Sequence, residues 1–330
     1  MTRYTHSLLL LPLLAIATPA LADGPSSTIT QHGLTNIATI DQSDGAGVTA
    51  EIFQSGENLA ATITQFWEPT GYYPNVANTA AVNQSGGLNS ATIDQAFSED
   101  GDANDAYIGQ GWSTNVATIE QGAGLNTARI NQNSVSNLAT VSQKLSVPGG
   151  INLIVIDQAG AGSNTATATQ YLHAGTIHIV QDSSFSTADV AQSAADHDAQ
   201  IRQSGALQSA EILQLGDDYG DGAISTISQS GIGNVAVTTQ TETSHSSAIV
   251  QDGTSNEATV TQHLDEGTSS IQQFGSNNSA SVSFEGAVLS NASIRQEGEG
   301  HLATFVNNIS YYADAFISQY GTGHIATVTQ

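Results

Sequence analysis

The chain has 330 residues, sets 30 Asp and Glu against five Lys and Arg, and contains no Cys. That balance excludes a nucleic-acid or anionic-lipid binder, which needs a basic patch to release counterions. The missing thiols exclude a disulfide-stapled secreted scaffold.

Residues 1–22 read as a leader. Arg3 and His6 give a weakly basic start, Ser7 to Ala17 is apolar, and Ala20-Leu21-Ala22 is a small-x-small cleavage site. This predicts a secretory signal peptide cut before Asp23. Its apolar stretch is too short for a membrane span and no later stretch matches it, so residues 23–330 are expected to be exported with no transmembrane segment. That portion keeps every acid and only Arg129, Lys144, Arg202 and Arg295 as bases, a balance of −26.

From Ser27 onward a short alternating run recurs. It ends in Gln at 31, 42, 54, 65, 84, 95, 110, 121, 132, 143, 158, 170, 181, 192, 203, 214, 229, 240, 251, 262, 273, 296, 319 and 330, with Phe284 and Asn307 in the two gaps. Two residues earlier stands Ile or Val, except for Ala168, Thr238 and Phe305, and four earlier usually Ala. Ala-x-Ile-x-Gln has period two, so each run is a β-strand with one buried face. A polar composition would suit disorder, but a disordered chain has no reason to hold Ile or Val in one phase. The intervening residues, such as Thr39 and Asp41 or Arg129 and Asn131, face water.

Gln on the buried face is costly unless paired. Parallel strands stacked in register about 4.8 Å apart let each amide donate to one neighbour and accept from the other. The predicted structural ladder therefore comprises Gln31, Gln42, Gln54, Gln65, Gln84, Gln95, Gln110, Gln121, Gln132, Gln143, Gln158, Gln170, Gln229, Gln240, Gln251 and Gln262.

The turns alternate in type. In one, Gly commonly follows two residues after Gln, as at Gly33, Gly86, Gly231 and Gly253, and Asn stands six before the next Gln, as at Asn36, Asn89, Asn115, Asn137, Asn234 and Asn256. Gly suits a tight arc with positive φ; Asn tolerates a left-handed backbone and bonds its own turn. The other turn carries all four long spacings, ending at Gln84, Gln110, Gln158 and Gln229. The true unit is thus two strands and about 22 residues. The expected fold is all-β, a two-sheet parallel β-solenoid of about thirteen such rungs over residues 23–330.

The arc Gln31-His32-Gly33-Leu34-Thr35-Asn36-Ile37-Ala38-Thr39-Ile40-Asp41-Gln42, and its copies at Gln84–Gln95, Gln229–Gln240 and Gln251–Gln262, resemble the curlin repeat of curli fibre subunits. The resemblance covers essentially all of 23–330. It implies a β-solenoid that polymerises head to tail into extracellular, cell-surface amyloid fibres for cell adhesion and biofilm, with a nucleator subunit and an outer-membrane secretion pore as partners. Three features depart from the family. There are thirteen repeats rather than about five. Asn78, Asn104, Asn126 and Asn152 stand where the family places Ser, with only Ser290 conforming. The family's non-repeat addressing segment shrinks to Asp23–Ser26.

No active site and no cofactor or metal site is expected. Asp196-His197-Asp198 is the densest acid–base cluster and reads as a solvated turn. The acidic insertions Ser98–Asp105 and Gly216–Gly222 match no Ca²⁺ loop pattern. The insertion Phe66–Ala77, with Trp67, Tyr72 and Tyr73, reads as packing over the side of the stack. The alternative function is a monomeric ligand-binding solenoid, taking ice on its outward Thr column or a Ca²⁺-linked glycan. Strand edges left open at both ends favour the fibre.

Overall fold

The computed structural model describes residues 4–9, 25–42, 47–66, 78–96, 103–122, 124–144, 151–171, 174–193, 196–216, 222–242, 244–263, 266–285, 289–308 and 312–330. Most of the leader, Trp67–Ala77, and the acidic runs 98–102 and 217–221 lie outside the described residues. Every regular element described is a β-strand. The chain divides into two compact units, Met1–His173 and Ala174–Gln330.

Each unit is a two-sheet parallel β-solenoid. In the first, one sheet runs from Ser26–Leu34 to Ile151–Gly162 and the other from Ile37–Gln42 to Thr165–Tyr171. In the second, the sheets run from Thr176–Ser184 to Asp314–Thr322 and from Thr187–Ser193 to Ile325–Thr329. Within each unit the chain visits the sheets alternately, so each strand pairs with the strand two places along. Among the described residues the first unit holds six rungs of two strands and the second seven.

Register follows the repeat without slippage. Ala61, Ile63 and Gln65 lie beside Ala91, Ile93 and Gln95, which lie beside Ala117, Ile119 and Gln121. The insertions change turn length and leave this pairing untouched: Gln84 sits level with Gln54 and with Gln110 across two of the long spacings. A one-residue slip would turn every Ala, Ile and Gln outward. The core is the resulting layer of Ala and Ile, including Ala38, Ile40, Ile52, Ile63, Ile93 and Ile119, all almost fully buried.

One strand departs from the parallel pattern. The sequence places residues 1–22 outside the fold, yet Tyr4–Leu9 runs antiparallel beside Ile37–Gln42. Ile37–Gln42 pairs on its other side with Ala60–Phe66, so this backbone satisfies an edge that would otherwise be open.

The arcs between the sheets set the local demand on glycine. Gly253 has φ 129°, and a Cβ there would lie 1.9 Å from the Gly275 carbonyl oxygen of the next rung. Gly233 has φ 68°, but a Cβ there would meet only the Ser255 hydroxyl at 3.7 Å. Non-Gly residues hold a similar φ at the matching place in neighbouring arcs, Leu207 at 56° and Ser255 at 55°. Gly253→Ala is therefore expected to destabilise the chain by about 1–3 kcal/mol, because strain and clash coincide, and Gly233→Asn by no more than about 0.5 kcal/mol. Urea denaturation of the two variants checks this; equal losses would contradict the close approach at Gly253.

Candidate functional site

The candidate site is the stack of amides. In the first unit, Gln31 Nε2 donates to Gln54 Oε1 at 2.6 Å, and the column continues Gln54–Gln84, Gln84–Gln110, Gln110–Gln132 and Gln132–Gln158 at 2.7–2.8 Å. The opposite sheet repeats it through Gln42, Gln65, Gln95, Gln121, Gln143 and Gln170 at 2.7–3.0 Å. In the second unit one column links Gln181 to Gln319 and the other links Gln192, Gln214, Gln240 and Gln262. Phe284 then lies level with Gln262 and stops that column, and Phe305 packs edge-on against Phe284 at 5.6 Å. Gln330 is exposed.

An amide has two N–H groups, and the column uses one. The second crosses the core to a backbone carbonyl of the facing sheet. Gln84 donates to the Ala60 carbonyl at 2.9 Å, Gln95 to Thr79 at 3.0 Å and Gln203 to Thr187 at 2.9 Å. Each Gln thus couples three strands: the two it stacks between and one across the core. The sequence signal for this was the donor count itself, since a dry core leaves no water for the second proton.

A second ladder runs through the arcs. The Asn89 side-chain Oδ1 accepts the Asn115 backbone N–H at 2.9 Å, the Asn115 Oδ1 accepts that of Asn137 at 3.0 Å, and the Asn137 Oδ1 that of Asn164 at 3.1 Å. Asn234 serves Asn256 in the same way at 3.0 Å, while Asn36 serves Leu59 at 3.1 Å. Asn36, Asn89, Asn115 and Asn234 also close their own arcs, as Asn89 does by donating to the Ser85 carbonyl at 2.8 Å. The left-handed backbone assigned to these Asn from sequence belongs instead to the residue before them. Thr35, Leu88, Thr114, Ser136 and Ser255 carry φ of 55–60°. The chain bends there so that Asn can turn inward on ordinary backbone. The arc glycines Gly33, Gly86, Gly231 and Gly253 do have positive φ, 93–129°.

The opposite turn has its own ladder in the first unit. Asn78 accepts the Asn104 backbone N–H at 2.8 Å, Asn104 accepts the Asn126 side chain at 2.9 Å, and Asn126 accepts the Asn152 side chain at 3.0 Å.

Residues 77–111 match the Curlin associated repeat family. That stretch is a small part of the chain, and the match supports a curlin-type reading of the repeat. No curated protein matches the chain.

The repeat frame changes chemistry in the second unit, where His enters the ladders. The reading of Asp196-His197-Asp198 as a solvated turn is overturned. His197 is 2% exposed, and its Nδ1 accepts the Ala223 backbone N–H at 2.9 Å. It occupies the place that Asn78 and Asn104 hold in the first unit, which is why it is drawn inward. His245 Nδ1 accepts from Gly267 at 3.2 Å on the same side, and His301 and His324 continue the arc ladder with rings stacked 5.2 Å apart. Among the described residues no three His, Asp or Glu converge as a metal site requires.

Burial dominates the perturbed titrations. It raises Asp94, helped by Glu120 alongside. It also raises Asp105, and it raises Asp189 against an opposing bond from the Val190 backbone. It lowers His197, with the neighbouring His245 adding to that shift and the Ser193 carbonyl and Asp196 opposing it. A His whose folded pKa is depressed binds fewer protons folded than unfolded. Its stabilisation is therefore complete above the ordinary value near about 6.5 and is lost as pH falls through the folded pKa. The raised carboxylates act in the opposite sense, so the comparison must isolate the imidazole. His197→Asn, which keeps a ladder acceptor without a titrating proton, is expected to lose less stability than the parent between pH 7 and pH 5. Urea midpoints at the two pH values measure this, and identical pH dependence would remove His197 from the ladder.

Proposed function

We infer that this chain is a secreted structural subunit that adds head to tail into an extracellular curli-like amyloid fibre, acting in adhesion and biofilm rather than catalysis. The observation that carries the reading is the open-ended arithmetic of the ladder. Gln181, Gln203, Gln229, Gln251, Gln273 and Gln296 each donate in one continuous column that reaches Gln319, so the interaction that joins rungs within a unit is the one that would join two chains. Strand edges with this chemistry template addition, and heterologous addition without closure gives filaments. The residues 1–22 leader supplies the export signal, with a nucleator subunit and an outer-membrane pore as the expected partners.

One observation favours a second reading. Thr39, Thr62, Thr92, Thr118, Thr140 and Thr167 form an in-register outward column in the first unit, a surface of the kind that could order ice. The flanking column carries Asp41, Asp94 and Glu120, which interrupts the flat hydroxyl face.

Charge sets the assembly conditions. Docking copies with a balance of −26 brings like charges together, and screening beyond about 8 Å at physiological ionic strength relieves it. Residues 23–330 are expected to assemble slowly in low salt at neutral pH and faster as salt rises, giving unbranched fibres that seed fresh chain. Thioflavin fluorescence against salt, with and without seeds, measures this. A chain that stays unassembled for days in high salt when seeded would contradict the fibre, and thermal hysteresis of its solution would establish the ice-binding reading.

A further inference from the structure

The arc edge of the first unit carries an apolar surface that folding does not require. Leu88 and Trp112 occupy successive arcs at φ 56° and 63°, a conformation in which a bulky side chain is strained. Both are exposed, at 60% and 69%. A Gly or Asn would satisfy the turn at lower cost, as Gly233 does elsewhere. Val116, Val135 and Leu138 lie exposed beside them. The backbone fixes the cluster: the Gly87 N–H donates to the Trp112 carbonyl at 2.9 Å, the Ser136 N–H to Ser113 at 3.0 Å, and Val116 pairs with Leu138.

The arcs that carry this surface are uncharged. Residues 84–90, 110–116, 132–138 and 158–165 contain no Asp, Glu, Lys or Arg, in a chain of formal net charge −25. The sequence between Gln95 and Gln110, on the other turn, holds Glu99, Asp100, Asp102 and Asp105. Two copies that meet over these four arcs bury apolar side chains and bring no charge of those arcs together, while Glu57, exposed in the preceding arc, lies at the margin.

We propose that the Leu88–Trp112–Leu138 edge is a lateral self-association surface whose occupant is the same edge of a second copy of this chain. A twofold pairing of one patch with itself is the simplest closed arrangement. Three rungs span only about 15 Å along the stack at the strand spacing, well short of the roughly 800 Å² per partner of a stable complex. One pair of chains therefore associates weakly. Copies held in a row would associate strongly, because each contact raises the effective concentration of the next. The surface is distinct from the strand edges that join rungs, so end-to-end growth does not depend on it.

The absence of Cys makes the test direct. Asn133→Cys places a thiol on the arc edge, and Asn83→Cys places one on the outer face of a sheet; both residues are exposed. A short bis-maleimide is applied to each, in the concentrated soluble chain and in any assembled form. The expected result is a several-fold higher yield of covalent dimer from Asn133→Cys in both preparations, abolished by adding Leu88→Ser and Trp112→Ser, with unchanged circular dichroism. In assembled material the same two substitutions are expected to convert paired filaments to single ones at unchanged thioflavin rate. Equal yields from the two thiols, or a yield indifferent to Trp112→Ser, would overturn the proposal. Capture of cellulose that depends on Trp112, with dimer yield at the control level, would also overturn it and give the surface to a carbohydrate. If no filaments form, the fibre reading fails while the soluble arm still decides this one. If the double substitution disturbs folding, the comparison of Asn133→Cys with Asn83→Cys decides alone.

Discussion

The whole structure depends on satisfying the glutamine amide in a dry core. A buried amide left unpaired costs roughly 1–3 kcal/mol, and every rung but the two that hold Phe284 and Asn307 places two Gln amides beside Ile and Ala. Only one arrangement meets that demand repeatedly: parallel strands, in register, with the facing sheet close enough to take the second proton. Parallel pairing, register and sheet-to-sheet approach follow from a single side chain repeated at one phase. The insertions are tolerated because they fall outside the segment that sets the amide's height, as Gln54, Gln84 and Gln110 demonstrate by remaining level.

Much of this was legible because the constraint is written in the sequence. Alternation in Ala38-Thr39-Ile40-Asp41-Gln42 specified strand and facing, and the constant phase of Gln specified register. What stayed illegible depended on where a side chain turns. Asn36 and Asn89 looked like left-handed turn residues, since Asn is the usual non-Gly occupant of that backbone. Burial instead drew them inward and passed the bend to Thr35 and Leu88. His197 between two acids looked solvated, yet its ring nitrogen does the work of an Asn oxygen. Composition alone could not separate those roles; the position six residues before Gln could.

The two units solve the same packing problem with different chemistry at the turns. The first stacks Asn on both sides and contains no titratable group in its ladders. The second substitutes His197, His245, His301 and His324, and closes one Gln column with the Phe284–Phe305 pair. A ladder needs an acceptor at a fixed height, and an imidazole Nδ1 supplies one as an amide oxygen does, at the cost of sensitivity to protonation. The surface follows a similar division. Acids gather at the variable turns and on the sheet faces, while the first-unit arcs at residues 84–90, 110–116, 132–138 and 158–165 carry no charge.

The central claim is that neighbouring Gln residues are bonded to one another rather than separately solvated, and a double-mutant cycle on Gln110 and Gln132 tests it most directly. Gln110 Nε2 donates to Gln132 Oε1 at 2.8 Å, and each also donates to a backbone carbonyl across the core. Either Leu substitution alone breaks two links of the column, whereas the double substitution breaks three rather than four. The double variant is therefore predicted to be less destabilised than the sum of the singles by about 1–3 kcal/mol. Strictly additive losses would mean that the two amides do not share a bond, and the ladder account would fall.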